Sequence, residues 1–183
     1  MKSNTDIKPK IISKKTIFKS KYFQIENRII EENGKKFSKD YVIKTPAVFI
    51  IPINDNDEIY FARQYRSALE KTTLELFAGH MQPGEEPLDA AKRELREESG
   101  FSAKSWKHLA TFDISANMVA QIDIFVAKEL TGGDLNQEED ENITTIKLDL
   151  DSALNKIESG EIDTAPHVAA ILLFNKLKKE GKI

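Results

Sequence analysis

Between Gly79 and Phe101 the chain reads GHMQPGEEPLDAAKRELREESGF, and Glu85, Glu94, Glu97 and Glu98 crowd a segment that also carries alanines and leucines. On a helix, at about 100° per residue, Glu94, Glu97 and Glu98 share one face, because positions i, i+3 and i+4 are neighbours. Leu88, Ala91 and Leu95 fall on an adjacent stripe that can face a core. Glu94 and Glu98 form a like-charge pair that costs roughly 0.2–0.5 kcal/mol when exposed. Apolar surroundings raise that cost unless something cationic compensates. Arg93 supplies one fixed positive charge, able to orient a glutamate. A hard divalent cation is a second solution, since several carboxylate oxygens on one rigid face suit magnesium or manganese. The alternative is a solvated acidic face with Lys and Arg scattered along it, and the stripe alone leaves both readings open.

The elements around this segment must hold it in place. Pro83-Gly84 reads as a turn, Pro87 suits a first helical turn and Gly100 suits a C-cap, which predicts a helix between them. Residues 10 to 45 read as strands, with Asn33-Gly34 as the tight turn of a hairpin. AVFIIPI, IYFARQYR and TTLELFAG read as three further strands ahead of the helix. After it, WKHLATFDI and IDIFVAKEL read as strands around a polar loop, followed by the acidic loop LTGGDLNQEEDEN and the strand ITTIKLDL. DSALNKIESGEI predicts a short helix and APHVAAILLFNKLKKEG a closing amphipathic one.

Composition narrows the classes. The chain has 183 residues, 40% hydrophobic and 31% charged, with a net charge of −3. That length suits one core-bearing domain with a small addition. The charge gives no electrostatic reason to expect nucleic acid or a membrane surface as partner. The chain has no cysteine, which removes disulfides, zinc–thiolate sites and thiol catalysis and fits a reducing, cytoplasmic location. No apolar run approaches a membrane span, and MKSNTDIKPKIISKK lacks the apolar core of a signal peptide.

The full spacing of the segment is Gly79, five residues, Glu85, seven residues, Arg93-Glu94-Leu95, one residue, Glu97-Glu98, one residue, Gly100-Phe101. This resembles the signature of the Nudix hydrolases at every specified position. The resemblance implies an α/β fold: an α/β/α sandwich around a mixed β-sheet, here with an N-terminal antiparallel β extension. It implies a divalent-metal site, Mg²⁺ with Mn²⁺ as the alternative, formed by Glu94, Glu97, Glu98 and the carbonyl of Ala78. Arg93 and the same glutamates would carry catalysis, with Gly79, Glu85 and Gly100 completing the signature. The implied reaction is hydrolysis of the diphosphate bond of a nucleoside diphosphate linked to another moiety.

The wider pattern is similar to the ADP-ribose pyrophosphatase branch, through ARQYR at 62 to 66, LELFAGHMQPGE and IESGEI. That similarity implies a nucleotide-sugar substrate, with ADP-ribose first and AMP and ribose 5-phosphate as products. Arg66, Arg63 and Glu75 are the implied substrate-binding residues, and a guanidinium fork matches phosphate oxygens. It also implies a homodimer, with residues 1–45 as the dimerisation element and 46–183 as the hydrolase domain. Rival readings are another nucleotide sugar such as GDP-mannose, a nucleoside triphosphate, or a catalytically weak regulatory member. One departure stands out. The branch commonly has Ser-Pro-Gly followed by a glutamate, where this chain reads SANMVAQ and ends in Gln121. A glutamine amide cannot take a proton at neutral pH. The acidic loop, with Glu139 and Glu141, is the nearest alternative supply of a base, and the other possibility is water activated by the signature site alone.

Overall fold

The computed structural model describes residues 8–133 and 143–183. The elements are β1 (Lys10–Lys19), β2 (Phe23–Glu32), β3 (Lys35–Lys44), β4 (Ala47–Pro52), β5 (Ile59–Arg66), β6 (Lys71–Glu75) and β7 (Phe77–His80), then α1 (Pro87–Ser99), β8 (Phe101–Ser115), β9 (Met118–Gly132), β10 (Thr144–Leu148), α2 (Leu150–Glu158) and α3 (Ala165–Lys179). They divide into two compact units. One contains the described residues up to Thr45 together with Asp113–Gln121; the other contains Pro46–Phe112 and Ile122–Ile183. Sequence order assigns 113–121 to the hydrolase segment, whereas chain contacts group it with the N-terminal strands. No helix among the described residues is long and apolar enough to cross a membrane.

The first unit is an antiparallel meander of β1, β2 and β3. Asn33 and Gly34 turn the chain with φ of 52° and 74°, the positive values that a tight hairpin turn demands at both central positions. Arg28 lies over the Tyr41 ring at 4.6 Å and pairs with Glu26 at 2.6 Å. Strand β1 is exposed along its whole length, although it carries Ile11, Ile12, Ile17 and Phe18. The polar loop expected around 115–121 is only the turn Ala116-Asn117, and β8 and β9 extend to either side of it. Met118 and Val119 pair in parallel with Val42 and Ile43 of β3.

In the second unit, β4 runs parallel to Ile122–Ala127 of β9 and antiparallel to β7. Successive strand residues face opposite ways, so β4 feeds two cores. Phe49 and Ile51 join Ala153, Ala170, Ile171 and Phe174 of α2 and α3. Val48 and Ile50 join Ala90, Ala91 and Leu95 of α1. Helices therefore cover both faces of a mixed sheet, the α/β/α sandwich that the family resemblance implies. A second sheet, β10-β5-β6, is antiparallel.

TTLELFAG, read from sequence as one strand, is two. Strand β6 pairs with β5 and β7 pairs with β4, so the chain changes sheets at Leu76. The Leu76 N–H donates to Nδ1 of His167 at 3.0 Å. That side-chain acceptor satisfies a buried donor at the point where the ladders part.

Leu95 is fully buried between α1 and the sheet. Leu95→Ala is expected to cost about 2–5 kcal/mol, read as a lower urea midpoint at an unchanged slope. An unshifted midpoint would mean that this contact does not hold α1 in place.

Candidate active site

Helix α1 begins at Pro87 and ends at Gly100, whose backbone is left-handed and whose N–H reaches the Arg96 carbonyl. Ahead of it, the Glu85 carboxylate accepts from the Gln82 N–H at 2.7 Å, which closes the turn between β7 and the helix. Ala90, Ala91, Leu95 and Ser99 face inward. Glu94 shares that inward side and is nearly buried, Glu98 is half-buried and Glu97 is exposed. The three glutamates therefore grade from core to solvent across one face.

Arg93 organises this face. Its Nε and Nη2 donate to Glu85 at 2.9 Å each, and Nη2 also reaches the His80 carbonyl at 3.0 Å. Its Nη1 donates to Glu94 at 2.7 Å and to Glu97 at 2.9 Å. One guanidinium thus ties the loop before the helix to two carboxylates on it. The bond to Glu85 raises the Arg93 pKa above its usual value, against a smaller effect of burial. Glu85 is held at about 2 by Arg93 and the Gln82 N–H. Glu94 moves the other way: burial pushes its pKa up, and Arg93 only partly offsets this.

Strand β7 approaches the helix closely. The Ala78 N–H donates to Glu98 at 3.0 Å. At Gly79, a Cβ would overlap the Glu94 carboxyl group. The signature glycine is therefore a steric requirement of the buried glutamate. The four signature glutamates and Arg93 leave three negative charges uncompensated when all are ionised. Hard oxygen donors with excess negative charge fit a divalent cation. Among the described residues, no three His, Asp or Glu side chains already converge on one point, and the Arg93 guanidinium stands between Glu94 and Glu97 instead.

Arg66 and Glu75 form a second cluster. Arg66 Nη2 donates to Glu75 at 2.5 Å and its Nε lies 3.1 Å from both carboxylate oxygens. Thr73 Oγ1 donates to the same carboxylate at 2.7 Å, and His167 Nε2 lies 3.6 Å away. Burial pushes the Glu75 pKa up, but the donors from Arg66 and Thr73 outweigh it, so the group sits below its usual range. Burial holds His167 at about 4, so the ring is neutral at ordinary pH. Arg63 is three residues from Arg66 on β5 and therefore faces the other side of the strand. It lines a cleft of about 350 Å³ with Lys71, Thr72, Leu74, Gly160 and Glu161.

Glu139 and Glu141 lie outside the described residues. Gln121 is on β9, and its amide donates to Asp113 at 3.2 Å. His108 shares the Asp123 carboxylate with Thr111. His167, whose spacing from the other histidines shows no metal-ligand pattern, joins the Arg66–Glu75 cluster through a contact that the sequence does not display. Its one signal was a polar ring inside the apolar run of APHVAAILLF.

The NUDIX domain family matches residues 43–170, and the chain belongs to this family of hydrolases. It is 34% identical to an ADP-ribose pyrophosphatase of Bacillus subtilis (strain 168), over 90% of this chain and 91% of that one. It is 32% identical to a methanol dehydrogenase activator of Bacillus methanolicus, over 88% and 90%. A crystal structure of an ADP compounds hydrolase superposes with a TM-score of 0.82 at 29% identity, covering 96% of this chain and 97% of that chain.

Two outcomes follow from this geometry. Gly79→Ala should displace the Glu94 carboxylate and lower activity while the far-ultraviolet spectrum stays native; full activity would show that the close approach is dispensable. The Glu85 contact contributes stability above the usual glutamate value of 4.5, and that stability is lost as pH falls through about 2. The stability difference between wild type and Glu85→Gln should therefore shrink as pH falls across that range in thermal melts, and a constant difference would contradict the pairing.

Proposed function

We propose that this protein hydrolyses the diphosphate bond of a nucleoside diphosphate sugar, with ADP-ribose the preferred substrate and AMP and ribose 5-phosphate the products. The observation that carries the reading is the complete signature, with Gly79, Glu85, Arg93, Glu94, Glu97 and Glu98 gathered on one loop and helix. Relatives named for ADP-ribose and ADP compounds support the substrate class. Glu94, Glu97, Glu98 and the Ala78 carbonyl would hold the divalent cation, Mg²⁺ or Mn²⁺. When bound, such an ion neutralises phosphate oxygens and lowers the pKa of coordinated water. Arg93 keeps the carboxylate face oriented, and Arg66, fixed by Glu75, offers a fork for phosphate oxygens. Positioning and charge stabilisation supply most of the rate in phosphoryl chemistry.

A regulatory role for the same nucleotide site is the second reading, favoured by the relative named as a methanol dehydrogenase activator. Turnover by the purified protein separates the two.

The protein acts in the cytoplasm as a homodimer joined through its N-terminal strands. Support comes from β1, whose Ile11, Ile12, Ile17 and Phe18 are 42–51% exposed, apolar side chains that pairing with a second copy would help to cover.

A panel of ADP-ribose, GDP-mannose and nucleoside triphosphates with product identification, in Mg²⁺ and in Mn²⁺, tests the substrate. Glu94→Gln and Glu98→Gln should each lower kcat by at least about 10²-fold with the fold retained. Near-normal turnover in both variants would refute the assignment. Light scattering should return twice the chain mass of 20.8 kDa, and Ile17→Lys with Phe18→Ser should return the monomer. A monomer mass for the wild type would overturn the dimer.

A further inference from the structure

We infer that His167 is a positioning residue for substrate binding: it holds Glu75 in the orientation that presents the Arg66 guanidinium. The inference rests on the reading of Arg66 as a phosphate contact. The two ring nitrogens of His167 have different tasks. Nδ1 accepts from the Leu76 N–H at 3.0 Å, so it carries no proton, and the neutral ring carries its proton on Nε2. That nitrogen faces Glu75 Oε2 at 3.6 Å. The backbone contact at the change of sheet thus selects the tautomer that points a positive pole at the carboxylate.

Glu75 is 3% exposed and is surrounded by donors. Thr73 and Arg66 Nε reach Oε1; Arg66 Nε and Nη2 reach Oε2, as does Gln64 Nε2 at 3.4 Å. His167 Nε2 lies 3.6 Å from Oε2, and its ring packs on Phe49 at 4.8 Å between centroids. A carboxylate confined in this way holds the planar guanidinium in one orientation, and Arg66 remains 41% exposed beyond it. The ring supplies this pole without a net charge. Glu75 and Arg66 balance each other, and burial keeps His167 neutral. The ring therefore adds orientation and no net charge to the pair.

The amide isosteres separate the two tasks. In His167→Asn the amide oxygen falls where Nδ1 was and keeps the Leu76 N–H satisfied, but nothing reaches Glu75. In His167→Gln the terminal amide reaches the Nε2 position and can donate to Glu75, while Leu76 loses its acceptor. KM and kcat for ADP-ribose at saturating Mg²⁺, with Tm, are measured for both variants, for Arg66→Lys and for the His167→Asn/Arg66→Lys double variant. His167→Asn is expected to raise KM about tenfold or more, with kcat nearly unchanged and Tm lowered by the loss of the ring packed on Phe49. His167→Gln is expected to lower Tm and keep KM near wild type. The Asn change should add little to KM once Arg66 is already lysine. An unchanged KM in His167→Asn, or a KM effect that multiplies fully with that of Arg66→Lys, overturns the inference. If Arg66→Lys itself leaves KM unchanged, the reading of Arg66 as a substrate contact fails. The two failures are thereby distinguished.

Discussion

Glu85, Glu94 and Glu97 can stand together only because Arg93 stands among them. The guanidinium makes four separate connections, to those three carboxylates and to the His80 carbonyl. Its rigid fork suits this task, which a lysine ammonium with its single charged point could not reproduce. The grip reaches across the turn at Pro83-Gly84, so the loop and the helix become one body. Glu94 can then be nearly buried, where burial works against its charged form, because a cation is fixed 2.7 Å away. The same requirement explains Gly79, the residue that leaves room for that carboxyl group.

The sheet exists to hold this body still. Strand β4 divides its side chains between two cores, and α1 is pinned to one of them by Ala90, Ala91 and Leu95. Strand β7 pairs with β4 and runs straight into the signature loop, so the Ala78 N–H arrives at Glu98 with the precision of a ladder residue. The change of sheet at Leu76 has a second consequence. It places Glu75 at the end of one ladder and Ala78 in the other, so one short stretch of chain supplies both clusters. Sites built on strands and helices hold their geometry more tightly than sites on loops.

Much of this was legible in the sequence because it is local. Pro87 and Gly100 bracket the helix as capping rules expect, Asn33-Gly34 makes the hairpin turn, and the spacing of Glu94, Glu97 and Glu98 fixes their common face. What was not legible depends on contacts between distant residues. Sequence spacing offered Arg93 as one positive charge and could not show that Glu85, eight residues earlier, would take two of its donors. The split of TTLELFAG was hidden because an alternating strand pattern does not name its partners, and the residue that satisfies Leu76 lies 91 positions away. The SANMVAQ stretch looked like a loop from its polar residues. Its strand pairing with β3 is again a non-local contact.

The excess negative charge of the carboxylate face is what a divalent cation would match. Direct titration with Mn²⁺, followed by calorimetry and by the electron paramagnetic resonance of the free ion, tests this without any substrate. The expected result is saturable Mn²⁺ binding by the wild-type protein, competed by Mg²⁺ and strongly weakened in Glu94→Gln. Equal Mn²⁺ binding by wild type and Glu94→Gln would contradict it.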